Sequence, residues 1–250
     1  GRATAAILQE QLPSLILSLE FPKKMRWGDV EISYARPIQW IVSLFGQEVV
    51  PFQVGPIQAE QTTYGHRQLS PKAFRLEKAH DYVNVLSQHH VMVDPEKREQ
   101  SIESQLNDLE SRLNIQIIER ERVIPQVLNL VEWPHLTSAT FRSEFLRAPK
   151  EVLISEMVEH QKYFPVINSD GSLKNLFIIT ANVVPTDQIR EGNQRVLSAR
   201  LSDGVFLYEE DLKMRLEDFN EKLKKVTFQK ELGTVYQKVE RILAHAKVLQ

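Results

Sequence analysis

An α+β fold, a mixed sheet with hairpins and packed helices followed by a helical segment, is what this 250-residue chain predicts. Three observations predict it. Short β-prone runs alternate with longer runs of helical periodicity. Two pairs of these short runs are joined by turn sequences and so read as hairpins, which favours α+β over a doubly wound parallel sheet. The last part of the chain carries helical periodicity almost throughout.

The elements follow in order. Ala3 to Leu19 reads as an amphipathic helix stopped by Pro22 and Lys23-Lys24. Ile38 to Phe45, the turn Gly46-Gln47 and Glu48 to Val54 read as a hairpin. Gly55-Pro56 breaks the chain before another strand, Ile57 to Thr63. Lys78 to His89 is helical, and His90 to Val93 reads as a short strand. Asp94-Pro95 starts a long helix to about Leu113, because Asp caps well and Pro suits the first helical position. Val123 to Leu130 is helical, and Leu136 to Phe141 alternates as a strand. A helix from Pro149 to His160 precedes a second hairpin, Tyr163 to Ile167 and Leu176 to Thr180, around Asn168-Ser169-Asp170-Gly171. Beyond Pro185 the pattern is helical to the end, with a boundary near Asp211 dividing an α+β domain, 1–210, from the start of a helical domain, 211–250.

Composition sets limits. With 42% hydrophobic and 26% charged residues the chain is an ordinary globular sequence that buries a full core. Its net charge of −2 makes it no general nucleic-acid coat, so any RNA contact rests on local positive charge. The absence of cysteine removes disulfides, thiolate metal sites and cysteine nucleophiles, and fits a reducing compartment such as the cytoplasm. No apolar run reaches the roughly 20 residues a membrane span needs. The start at Gly1 and the helical pattern still running at Gln250 read as an internal piece of a longer protein.

Enzyme signatures are missing: no P-loop, Gly-x-Gly-x-x-Gly, Gly-x-Ser-x-Gly or His-Glu-x-x-His. His89 and His90 would point to opposite faces of a strand, and the other histidines show no ligand spacing, so no metal is expected. Basic and aromatic residues adjoin in Lys23-Lys24-Met25-Arg26-Trp27, Tyr64-Gly65-His66-Arg67 and Gln161-Lys162-Tyr163-Phe164. Such clusters hold phosphates and stack bases. Equally, Trp27 and Phe164 are candidate core anchors with lysines solvating the edge, and a buried Arg36 paired with a carboxylate would be structural. In the run from Arg190 to Tyr208, Val196, Ala199, Leu201, Val205, Phe206 and Leu207 can form an apolar helix face. Asn193, Arg200 and Asp203 are spaced to stack along one side, either as a solvated salt-bridged face or as a functional one.

Eight segments in order resemble the beta subunit of bacterial-type, two-subunit glycyl-tRNA synthetase. They are Pro22-Lys23-Lys24-Met25-Arg26-Trp27-Gly28-Asp29, Arg36-Pro37, Gly65-His66-Arg67, Val91-Met92-Val93-Asp94, Leu130-Val131-Glu132-Trp133-Pro134, Gln161 to Val166, Gly192-Asn193 through Asp203, and Phe228 to Thr234. The resemblance implies that glycine activation, with its ATP and Mg, lies in a separate alpha subunit or alpha region. This chain would need no cofactor of its own. Its partners would be glycine tRNA and the alpha subunit within a hetero-oligomer. The fold implied for 1–210 is the editing-type domain of the phenylalanyl-tRNA synthetase beta chain, without its catalysis; an HD-type helical domain would begin after it. On this footing Lys23, Arg26, His66, Arg67, Lys162, Arg195 and Arg200 are the candidate tRNA contacts, to phosphate and sugar rather than to bases. Asn193 and Asp203 would orient Arg200 or cap structure, and Trp27 and Arg36 would be structural. A pure scaffold, with tRNA held by other domains, is the rival reading. A deaminoacylase would need a pocket with an activated water, which no motif here supplies.

Overall fold

The structure, a computed structural model, describes residues 1–249. Helix α1 (Thr4–Ser18) leans on a small sheet of β1 (Ile41–Val42), β5 (Ile57–Glu60) and β4 (Gln53–Val54). Ala5, Leu8, Leu12 and Ile16 recur every three or four residues and pack on Val50, Phe52, Val54 and Ala59. β1 runs parallel to β5, and β4 antiparallel to it around Gly55, whose φ of 56° needs the freedom of glycine. Between β1 and β4, β2 (Leu44–Phe45) and β3 (Glu48–Val49) form the hairpin expected at Gly46-Gln47. β6 (Thr62–Tyr64) and β7 (Ala73–Arg75) form another.

A 3₁₀ turn (Ala79–Asp81) leads into α2 (Tyr82–Gln88). The strand expected at His90 to Val93 is not there. His90 takes a left-handed φ of 60°, and Val91 N–H donates back to Leu86 O, so the chain turns instead of extending. Met92 N–H reaches outside this turn, to Glu132 O at 2.9 Å. The long helix α3 (Pro95–Leu113) starts where the sequence places it: the Asp94 carboxylate accepts from Glu96 N–H at 3.0 Å.

The body of the molecule is a three-layer stack. Its middle is an antiparallel sheet in the order β8 (Gln116–Ile117), β10 (Phe164–Ile167), β11 (Leu173–Ala181), β9 (His135–Thr140). Alternation along β11 sends Ile178 to one face and Phe177 and Ile179 to the other. Ile178 meets Ile102, Leu106 and Leu109 of α3 and Val123, Ile124 and Val127 of α4 (Arg120–Val127). Phe177 and Ile179 meet Leu153 of α5 (Lys150–Ser155), Met157 of the π-helical turn that extends it (Glu156–Gln161), and Leu197, Leu201 and Val205 of α6 (Asp187–Asp211). α6 comes close to α5 at Gly204, where a Cβ would lie 3.4 Å from Val152.

Three expectations are corrected here. Among the described residues the strands form five separate sheets rather than one mixed sheet, and several pairs are only two or three residues long. The stretch after Pro185 is interrupted: after α7 (Leu216–Lys222), β12 (Thr227–Gln229) and β13 (Gly233–Thr234) pair as a hairpin around Gly233 at φ 81°. The apolar face of α6 is Leu197, Leu201, Gly204 and Val205; Val196, Ala199, Phe206 and Leu207 face solvent. The buried set keeps 4-3-1 spacing on one side of the helix, and the exposed set lies opposite. Helix α8 (Val235–Val248) closes the described chain, opened by a capping box between Thr234 and Gln237. Among the described residues none beyond Val205 is buried.

Candidate nucleic-acid interface

The seven expected tRNA contacts divide by environment. Lys23, Arg26, Arg67, Arg195 and Arg200 are exposed, and none takes an ion pair or side-chain hydrogen bond among the described residues. Lys23 and Arg26 lie in the segment after α1, Arg67 in the turn after β6, and Arg195 and Arg200 on α6. They stand on three separate parts of the fold. Other arginines are tied into structure. Arg98 donates to the backbone carbonyls of Met92, Val93 and Leu128, and Arg120 pairs with Glu103 at 2.9 Å and Glu110 at 2.8 Å. The distinction matters because a free, hydrated cation can meet a phosphate without breaking a protein contact.

His66 is corrected. It is 2% exposed, and its Nδ1 accepts the backbone N–H of Gln68 and of Leu69, each at 3.2 Å. With Nδ1 accepting, Nε2 is the ring's donor, and it is buried without a partner among the described residues. The residue shapes its own turn instead of facing RNA. Its neighbour Gly65 is hemmed in by His89, so the turn has no room for a side chain there. Lys162 is half-buried with a φ of 59°, and its ammonium closes on Glu159 O, so it caps the turn before β10.

Asn193 does not touch Arg200. Its Oδ1 accepts from the Tyr163 hydroxyl at 2.5 Å, tying the residue just before β10 to α6, and its Nδ2 donates to Ile189 O of the same helix at 2.7 Å. Burial pushes the Tyr163 hydroxyl up to about 12, so it stays a neutral donor. Asp203 is exposed with no ion pair to Arg200, so the polar trio on α6 is not a network. Arg36 is exposed and unpaired among the described residues, contrary to a buried structural role, and Trp27 is half-buried.

His66, His90 and His135 lie close together, and burial followed by the charges of the other two lowers His135 from the ordinary imidazole value. No group of three or more His, Asp or Glu among the described residues is placed to hold a metal. Sequence reasoning missed a basic segment. Lys222, Lys224 and Lys238 lie over the rings of Phe219, Tyr236 and Phe228 at 5.0, 4.7 and 4.4 Å, with Lys225, Lys230 and Arg241 nearby in sequence. The repeated lysines were visible, but a hairpin inside an expected helix hid their grouping. No helix among the described residues is long and apolar enough to cross a membrane.

The arrangement is a scaffold whose exposed cations Lys23, Arg26, Arg67, Arg195 and Arg200 have no ion-pair partner among the described residues. Comparison with known proteins supplies the family. The family described as glycyl-tRNA synthetase beta subunit matches residues 1–250. The chain is 43% identical over 246 residues to the glycine–tRNA ligase of Chlamydia pneumoniae, covering 98% of this chain and 24% of that protein. It is 41% identical over 243 residues to the glycine–tRNA ligase beta subunit of Syntrophus aciditrophicus, covering 96% of this chain and 35% of the relative. The beta subunit of Listeria monocytogenes is 39% identical over 251 residues, covering 100% and 36%. The chain belongs to the glycyl-tRNA synthetase beta subunit family. It spans between a quarter and rather more than a third of the length of these relatives.

Proposed function

We propose that this chain is a non-catalytic module of a cytoplasmic glycine–tRNA ligase, contributing backbone contacts to glycine tRNA and a docking surface for the alpha subunit. The observation that carries it is the set of five exposed cations, Lys23, Arg26, Arg67, Arg195 and Arg200, without protein partners among the described residues. Glycine activation with ATP and Mg then belongs to the alpha subunit or alpha region, and this module needs no cofactor. Editing has little to do here. Glycine has no smaller competitor, and a tight activation site excludes alanine by size. An editing-type fold in 1–210 would therefore serve as scaffold and RNA-contact surface. Residues 211–250 would open an HD-type helical domain. This fits the absence, among the described residues, of any buried residue after Val205, and the uncovered apolar residues Ile242 and Leu243 on α8.

The test is charging by the complete enzyme. Arg200→Ala should raise the KM for tRNA several-fold with glycine activation unchanged. Unchanged tRNA KM would remove Arg200 from the interface. The scaffold reading is favoured by a different observation, the solvent-facing Val196, Phe206 and Leu207 on α6. It requires that substitutions there weaken subunit assembly, while the arginine substitutions leave tRNA binding intact.

A further inference from the structure

A cavity of about 440 Å³ opens between β1, the β6–β7 hairpin and the start of α2, a volume in the range of small-ligand sites. Its floor includes the buried Leu76 and Thr63, and Trp40 and Tyr82 form its walls. The Tyr64 ring leans on Trp40, centroids 4.7 Å apart at 53°. Trp40, Tyr64 and Tyr82 remain 43%, 39% and 38% exposed, so three aromatic rings show surface to solvent in one place. The Tyr82 hydroxyl has no hydrogen-bond partner among the described residues, and burial raises it above the usual phenol value, so it stays a neutral donor. From Thr62 to Tyr82 the chain carries Arg67, Lys72, Arg75 and Lys78 against Glu77 and Asp81. Glu77 is already ion-paired with Arg75, and the Asp81 carboxylate lies 3.3 Å from the His80 ring.

We propose that this pocket takes one unstacked base of a single-stranded RNA segment, stacked on Trp40 with the Tyr82 hydroxyl at its edge and the flanking phosphates toward Arg67 and Lys78. The proposal rests on the reading that the module contacts tRNA. An aliphatic side chain would fill the floor but use neither the hydroxyl nor the cations. A base uses all three features, since every base has a π-face, a polar edge and an attached phosphate.

The experiment uses the complete enzyme and glycine tRNA carrying 5-iodouridine at single-stranded positions. Wild-type crosslinks should map to Trp40, Tyr64 or Tyr82. Trp40→Leu should weaken tRNA binding about tenfold with the salt slope unchanged, while Trp40→Phe keeps most of the affinity. Should Trp40→Leu fail to fold, Tyr64→Leu carries the same expectation. If tRNA binds wild type with a normal salt slope but the leucine variants bind equally well, the pocket proposal is overturned and the broader reading stands. Loss of subunit affinity instead of tRNA affinity overturns it in favour of a protein side chain. No tRNA binding by any form overturns both.

Discussion

Gly65 sits where a methyl group has no room: a Cβ there would lie 2.6 Å from both the Cβ and the carbonyl oxygen of His89. Gly65→Ala should cost about 2 kcal/mol, typical of forced overpacking, read as a lower urea midpoint at unchanged slope. Tyr163 makes a prediction at alkaline pH. Its hydroxyl is pushed up to about 12, above the ordinary phenol value of about 10 that an unfolded chain would show. The associated stability is complete below the unfolded value and is lost as pH rises through the folded one. Melting temperature should therefore fall across that window in the wild type and fall less in Tyr163→Phe, which also gives up about 1 kcal/mol for the hydrogen bond to Asn193. His135 works in the opposite direction. Its imidazole is held below the ordinary value by burial, then by His66 and His90. Its contribution is present above the unfolded value of about 6.5 and is lost as pH falls through the folded value. His135→Asn should flatten the acid limb of stability measured by urea midpoints.

At the scale of elements, α6 gives the sharpest contrast. Leu201 is fully buried against the sheet, while Leu207 is 61% exposed. Leu201→Ala should cost about 2–5 kcal/mol, and Leu207→Ala less than about 0.5 kcal/mol, by chemical denaturation. The sequence showed that this segment is a helix but not which side is buried. Apolar residues occur on both sides, so periodicity alone leaves the buried side undecided. Asp94-Pro95 was legible because cap and first-turn chemistry are local. The hairpin from Tyr163 to Thr180 was legible because two short apolar runs flank a strong turn sequence, Asn168-Ser169-Asp170-Gly171. Elements set by distant partners were not legible. β8 is two residues long and exists through its pairing with β10, and the turn at His90 depends on contacts back to Leu86 and across to Glu132. The C-terminal hairpin was missed because Thr227 to Gln229 is flanked by helical runs and only Gly233 marks the turn.

For the molecule as a whole, two helical layers clasp one antiparallel sheet, the N-terminal β unit carries the aromatic pocket, and the free cations stand on its surface. Among the candidate residues, exposure was what the sequence could not supply. His66 looked like Arg67 in the chain, yet one is buried in its own turn and the other is free. Asn193 and Arg200 share a helix, but tertiary contacts take only the first. The central claim is that this module meets tRNA through unpaired surface cations without chemistry of its own. Its most direct test is the salt dependence of glycine-tRNA affinity in the complete enzyme, comparing wild type with Arg195→Ala/Arg200→Ala. The account predicts uniformly weaker binding and a log–log slope shallower by about two, one for each lost phosphate contact. An identical slope and affinity in the folded double variant would contradict it.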